Sequence, residues 1–321
     1  MAGQNTGVVL AAMFANGAIA VLKFFGYLLT GSPSMLAETY HSISDTGNQV
    51  LLLIGIKYSQ RGASQIHPYG YGKAQFFFAF LVSVLLFGVA GWESLTHGIS
   101  KLREGGHGSE ASQPELLGIT IDISLPVDPF WISVVILLGA IVFETYAFVK
   151  ARAELKRQMN EYDWSGYREA FAQSSDITTL TAFTEDTIAL LGLVVALVGQ
   201  TASRVTGNPA YDSLGAIVIG VLLMVFALLL AVENKRLILG ESLPTTIESD
   251  LQTAITDHDG VAHVDDFRTM FIGTGQVLVT ADVSFDSGLE TVDIDEDIQH
   301  LESKLEEIDN RVKLVYIEPQ L

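Results

Sequence analysis

The chain of 321 residues contains no cysteine. Disulfides, thiolate metal sites and cysteine nucleophiles are therefore excluded. Charge is also scarce: Asp, Glu, Lys and Arg make up 17% of the residues, against 49% hydrophobic. That balance is too apolar for an ordinary soluble domain. Basic residues are the rarer sign, 18 against 37 acidic, giving a formal net charge of −19. From Ile238 onward the imbalance deepens to 19 Asp/Glu against 4 Lys/Arg. A surface that acidic disfavours nucleic acid and anionic lipid; it suits a high-salt cytoplasm or attracts divalent cations. No nucleotide loop is found, because the Gly70-Tyr71-Gly72 pattern follows no strand. With no paired catalytic carboxylates in a soluble cleft either, an enzyme is the least favoured class. The start, Met1-Ala2-Gly3-Gln4-Asn5-Thr6, lacks the basic segment and cleavage site of a secretory signal, so the first apolar segment is expected to be retained as a span.

What the chain does have is apolar runs of bilayer-crossing length. Six spans are expected, at about 6–30, 36–58, 74–99, 129–151, 177–203 and 210–234. They are not purely apolar: Asn16 and Lys23 fall in the first, Glu144 in the fourth, Glu185 and Asp186 in the fifth. Basic residues sort by loop. Lys57, Arg61, Lys73, Lys150, Arg152, Lys156, Arg157, Arg168, Lys235 and Arg236 share one side if the six spans alternate, leaving Lys101, Arg103 and Arg204 on the other. The excess of positive charge on the inner side then places both termini in the cytoplasm and makes 101–128 an external loop.

After Leu243-Pro244 the pattern changes. Helical periodicity over Thr245–His258 and Ile294–Ile308, with strands at Phe267–Ile272, Gln276–Phe285 and Val312–Ile317, predicts an αββαβ order. The expected architecture is an α-helical membrane protein, with six transmembrane helices over residues 1–237 and a small acidic α+β cytoplasmic domain over 238–321.

One stretch organises this scaffold: Glu38-Thr39-Tyr40-His41-Ser42-Ile43-Ser44-Asp45-Thr46-Gly47-Asn48-Gln49. His41 and Asp45 are four apart, which stacks imidazole and carboxylate on one helical face. Such a pair suits a transition-metal cation, and ionisable groups at membrane depth are functional by default. Far down the chain Asp186 offers a partner carboxylate in a span with no basic residue nearby. Glu185, adjacent to it, points roughly 100° away on a helix. It either touches the site or faces another helix or subunit.

At this point the sequence resembles a known family, the cation diffusion facilitators. The resemblance covers nearly the whole chain. It is carried by Gly31-Ser32-Pro33-Ser34-Met35-Leu36-Ala37-Glu38-Thr39-Tyr40-His41-Ser42, by His67-Pro68-Tyr69-Gly70-Tyr71-Gly72-Lys73-Ala74, by Glu185-Asp186 with Gly192, and by Val315-Tyr316-Ile317-Glu318-Pro319. The wording is most similar to the zinc-transporter-nine-like branch. The resemblance implies a homodimeric, proton-coupled antiporter for divalent transition metals. It also implies a transport site of two residues four apart in the second span and two in the fifth. The first pair falls on His41 and Asp45, and the acidic member of the second on Asp186. Four residues before Asp186 the usual ligand is replaced by Ala182. In the loop before the third span only His67 matches a ligand position, with Tyr71 at the later one; that loop is read as a turn whose Lys73 faces a carboxylate. In the soluble domain His258, His263 and His300 miss the family's metal positions, near which Asp265, Asp282 and Glu318 fall; dimerisation is its expected role, and Asp257, Asp259, Asp265 and Asp266 are read as a solvated acidic surface.

The reading that follows is export of a divalent metal, zinc first, in exchange for protons, bound by His41, Asp45 and Asp186 with Glu185, Asn48 or water completing the shell. The metal is transported substrate, and no organic cofactor is implied. The expected partners are the lipid bilayer, a second copy of the chain, metal ions and protons. The alternatives are manganese, iron, cobalt or nickel as cargo, a passive cation channel, or a transport-deficient membrane scaffold.

Overall fold

A computed structural model describes residues 2–103, 115–116, 119–120, 128–161, 164–173 and 177–320. Short polar punctuation explains where its helices begin and end. Between α1 (Ala2–Thr30) and α2 (Pro33–Ser59) stands Gly31-Ser32. Gly31 takes φ +61°, a left-handed conformation that costs glycine little, and its N–H donates to the Tyr27 carbonyl at 2.8 Å. Ser32 then caps α2, its Oγ accepting the Met35 N–H at 3.2 Å, with Pro33 in the first helical position. The same grammar separates α7 (Ile177–Thr206) from α8 (Ala210–Leu239). There Gly207 has φ +68°, and Asn208 Oδ1 accepts the Ala210 N–H at 3.0 Å.

Residues Ala74–Arg103 form one continuous helix made of α3 (Ala74–Leu85), a π-helical turn (Leu86–Gly91) and α4 (Trp92–Arg103). The wide turn shifts the helical phase midway along. Glycines then bring α4 against α8 almost backbone to backbone. A Cβ on Gly220 would stand 2.7 Å from the Leu95 nitrogen, and one on Gly98 would stand 3.0 Å from the Ser213 carbonyl oxygen. The remaining helices of this region are α5 (Pro129–Glu161), whose start is capped by Asp128, and the short α6 (Tyr167–Gln173).

The chain packs as two units. The first runs through Met1–Ile54, Phe78–Tyr167 and Thr178–Val232. Its core joins Tyr27, Met35, Leu86, Leu137, Leu193, Ile219, Leu223 and Phe226. Its outer faces are apolar too: Trp131 is 60% exposed, Val142 72%, Val198 61% and Leu229 61%. Helices that are hydrophobic on both faces belong in lipid. Four helices are long and apolar enough to cross a membrane: Ala74–Arg103, Pro129–Glu161, Thr179–Thr206 and Ala210–Leu239. The other two expected spans are helical, but they fall short of that standard among the described residues. Of α1 only Asn16–Thr30 enters that comparison, as a shorter apolar helix, and α2 is interrupted by Glu38, His41 and Asp45. The expected external segment 101–128 lies mostly outside the described residues, apart from its two ends and a small antiparallel pair, β1 (Glu115–Leu116) with β2 (Ile119–Thr120).

The second unit comprises Gly55–Phe77, Arg168–Ile177 and Glu233–Leu321. Its α9 (Thr245–Thr256), β3 (Val261–Gly273), β4 (Gln276–Phe285), α10 (Thr291–Ile308) and β5 (Val312–Gln320) follow the expected αββαβ order. The sheet order is β3-β4-β5, antiparallel across the Thr274-Gly275 turn and parallel between β4 and β5, with α10 as the crossover. On β4 the alternate residues Val277, Val279, Ala281 and Val283 turn into a core completed by Leu251, Ile255, Leu301 and Leu305. Strand β3 starts six residues before the expected Phe267. Its first half, Val261–Asp266, is an edge carrying His263, Asp265 and Asp266 with register shifts on both sides of Val264, so no apolar alternation marks it.

Candidate metal centre

Helix α2 carries Glu38, His41, Ser42, Asp45, Asn48 and Gln49 at spacings of three and four, which gathers them on one face. That face is buried: His41 is 1% exposed, Asp45 6% and Glu38 0%. A cluster so polar at the heart of a membrane unit needs partners. From α1 comes Lys23, fully buried, whose Nζ donates to Glu38 Oε2 at 2.8 Å and to Ser42 Oγ at 2.9 Å. From α7 comes Glu185, whose carboxyl lies in the electrostatic reach of Asp45 and beside the Asn48 amide. From α5 comes Glu144, buried and in the electrostatic reach of Asp45, Glu185 and Lys23.

The rotation of α7 decides which of its two acids enters. Gly192, two turns after Glu185, lies so close to Glu38 that a Cβ there would collide with its Oε1. Phe183 stacks on Phe148 at 5.5 Å and on Tyr167 at 5.5 Å, pinning the neighbouring face. Seven residues bring a helix nearly back to the same azimuth, so Glu185 shares the inward direction of Gly192. Asp186 sits about 100° round, where it feels Glu185 and Glu144; both acids of α7 are partly buried. Ala182 is likewise partly buried. The structure thus gathers His41, Asp45 and Glu185, with Asp186 at their edge. Sequence reasoning did not assign Lys23, Glu38 or Glu144 to the site. The signal was available, since each is an ionisable residue within a span.

Several buried atoms in this cluster have no hydrogen-bond partner: both ring nitrogens of His41, Asp45 Oδ1, Glu185 Oε1, Glu38 Oε1 and Gln49 Oε1. His41 Nε2 lies 3.5 Å from Asp45 Oδ2, too far for a proper hydrogen bond. Buried polar atoms are rarely left unsatisfied, and these are nitrogen and oxygen donors of the kind that hold borderline divalent ions. Among the described residues no three His, Asp or Glu side chains already stand in ion-holding geometry. An ion would have to draw α2 and α7 donors inward.

A second buried polar network is satisfied internally. Gln200 donates to Ser32 at 3.0 Å and Ser34 at 3.4 Å, Ser133 donates to Gln200 at 2.5 Å, and Ser34 donates to Asp212. It ties helix ends together.

In the second unit His67 stacks on Tyr71 at 4.1 Å. Among the described residues Lys73 meets no carboxylate, contrary to expectation. Its Nζ lies 3.5 Å from the Ile238 carbonyl oxygen and 3.7 Å from Met270 Sδ, and burial lowers its pKa. The carbonyl is available because α8 ends at Leu239. Asp282 pairs across the sheet with Glu318 and with Asp266, while Asp265 accepts a hydrogen bond from Ser284 at 2.7 Å. His258 meets Asp297 at 3.2 Å and stacks on His300 at 5.4 Å.

The chain as a whole is similar to known proteins. The family model for the cation efflux transmembrane domain matches residues 9–239. The human "proton-coupled zinc antiporter SLC30A9, mitochondrial" is 30% identical over 301 residues, covering 92% of this chain and 50% of that protein. "Metal tolerance protein C4" of Arabidopsis thaliana is 29% identical over 277 residues, 86% of this chain and 56% of that one. "Cation-efflux pump FieF" of Klebsiella pneumoniae is 25% identical over 260 residues, 81% and 74% respectively. The chain spans about half the length of the human and plant relatives.

Proposed function

The chain belongs to the cation efflux family, a family of membrane transporters rather than enzymes, and from that premise we propose a proton-coupled antiporter that exports a divalent transition metal from the cytoplasm, zinc before others. The observation that carries this reading is the set of buried, unsatisfied nitrogen and oxygen atoms on His41, Asp45 and Glu185. The printed name of the human relative, a proton-coupled zinc antiporter, supports both the metal and the coupling.

The geometry supplies a mechanism. Asp45 and Glu185 bear on one another as two buried acids, an arrangement that favours one proton held between them over two free charges. A metal ion entering between them must displace that proton, because ligands bind metal deprotonated. His41 adds a neutral nitrogen from the same face of α2, and Asp186 a carboxylate from the flank of α7. Cargo and proton then compete for one set of atoms, and that competition is the coupling. Access alternates as helices rock about the cluster. The close glycine contact of α4 with α8 provides one rigid pair. Six spans, cytoplasmic termini and a homodimer joined through the αββαβ domain complete the reading; the basic loops support the orientation.

The test is metal flux into proteoliposomes across zinc, manganese, iron, cobalt and nickel, with and without a pH gradient. Uphill zinc movement driven by protons is expected. Equal downhill flux of every ion, indifferent to the gradient, would identify a channel instead.

A further inference from the structure

Lys23 is a full positive charge buried beside a centre built for cations. It has no exposed surface, and its ammonium is tied to Glu38 at 2.8 Å and Ser42 at 2.9 Å. A charge at this depth is expensive, and an apolar pair of similar volume would join α1 to α2 at least as well. The position of the pair explains more. Ser42 adjoins His41 and lies three residues from Asp45 on α2, so the ammonium is tied to the same helix face as those two residues. Lys23 bears electrostatically on both His41 and Asp45. Glu38 is wedged on its other side against Gly192 of α7, with its Oε1 unpartnered. It shares the inward face of α2, and its other oxygen is bound by the ammonium.

We propose that Lys23 is a resident cation of the transport site, which keeps Glu38 out of the ligand set and weakens the hold on a divalent ion enough to allow its release. A positive charge repels the cargo directly. By engaging Glu38 it also withholds one more carboxylate, which would otherwise make the site tighter and harder. Lys23 acts here partly through Glu38, as a positioning residue. The inference rests on the transport reading above.

The two ends of the ion pair predict opposite effects, which a purely structural bridge does not. Lys23→Met removes the repulsion and frees Glu38. Zinc binding by the purified full chain is expected to tighten by about tenfold, and in proteoliposomes the apparent KM and the maximal flux both fall. Glu38→Gln leaves the ammonium unbalanced, and zinc binding weakens by a similar factor. Lys23→Arg keeps the charge and stays near wild type. If Lys23→Met and Glu38→Gln shift zinc affinity in the same direction, or lower flux with KM unchanged, the pair is a structural bridge and the inference is wrong. Should a single variant not accumulate, the double Lys23→Met/Glu38→Gln leaves no unpaired charge. It should bind zinc more tightly than wild type, because Lys23 is the end facing His41 and Asp45, and equal affinity overturns the inference. Wild-type protein that moves no metal under any gradient refutes the transport reading itself; wild-type flux with the wrong variant pattern refutes only the role of Lys23.

Discussion

Replacing Gly192 by alanine tests how tightly the candidate centre is built. The added Cβ would collide with Glu38 Oε1 and stand 3.6 Å from its Cδ and 3.9 Å from Ile219 Cγ1. A flexible glutamate on a surface would swing aside. Glu38 cannot do so freely, because it is fully buried and its other oxygen is bound by Lys23 at 2.8 Å. Overpacking of this kind costs about 1–3 kcal/mol. If the carboxylate leaves Lys23 altogether, the cost approaches that of a broken buried pair, about 3–5 kcal/mol. Against this, alanine is favoured over glycine in a helix by about 1 kcal/mol. The net expectation is a destabilisation of about 0–2 kcal/mol if Glu38 shifts while keeping Lys23, and of about 2–4 kcal/mol if it leaves Lys23. Gly139→Ala in α5 is the matched control, because nothing lies within 4 Å of its new Cβ. It should gain up to about 1 kcal/mol. Unfolding of the purified protein in detergent, by heat or by a denaturing detergent, measures both. If Gly192→Ala is as stable as Gly139→Ala, then α7 does not press on Glu38, and its rotation at Glu185 is not the one described.

Other outcomes follow from the same geometry. Gly220→Ala, whose Cβ would meet backbone atoms of α4 rather than a movable side chain, should lower the unfolding midpoint and slow flux; an unaffected variant would show that α4 and α8 are not in contact. Ala182→His adds an imidazole four residues before Asp186, and zinc flux should show a higher apparent affinity and a lower maximum. Unchanged affinity for both zinc and manganese would put residue 182 off the ion's face and leave Glu185 as the ligand from α7. Cysteines placed singly at Gly166 and Ser249 in this cysteine-free chain should resist labelling from outside, and one at Ser109 should accept it; labelling at Ser249 but not at Ser109 would reverse the topology. Deleting residues 245–321 should weaken dimerisation, measured by mass in detergent and in lipid, and a full-length monomer in both would refute the dimer.

Much of this arrangement was legible because it rests on local chemistry. Gly31-Ser32-Pro33 reads as a helix stop, cap and start, and those are the roles it plays. His41 and Asp45 share a face because any helix places residues four apart together. The strands β4 and β5 follow apolar alternation. The first half of β3 escaped notice because its side chains are those of a solvated edge. The choice between Glu185 and Asp186 depends on helix rotation, which packing at Phe183 and Gly192 sets and neighbouring charges do not. Lys23 and Glu144 stood out as ionisable residues in apolar spans, yet their convergence on α2 requires the tertiary fold. The phase shift at Leu86–Gly91 has no local marker that separates it from ordinary helix.

The account turns on His41, Asp45 and Glu185 being the atoms that metal and proton share. Proton-driven zinc uptake into proteoliposomes carrying Asp45→Ala tests that most directly, with folding checked by an unchanged elution profile. Asp45 joins the imidazole of α2 to the carboxylate of α7, so its loss leaves no bridge between the two helices for an ion to close. The predicted result is uptake no greater than in protein-free vesicles. Uptake at the wild-type rate would contradict the account.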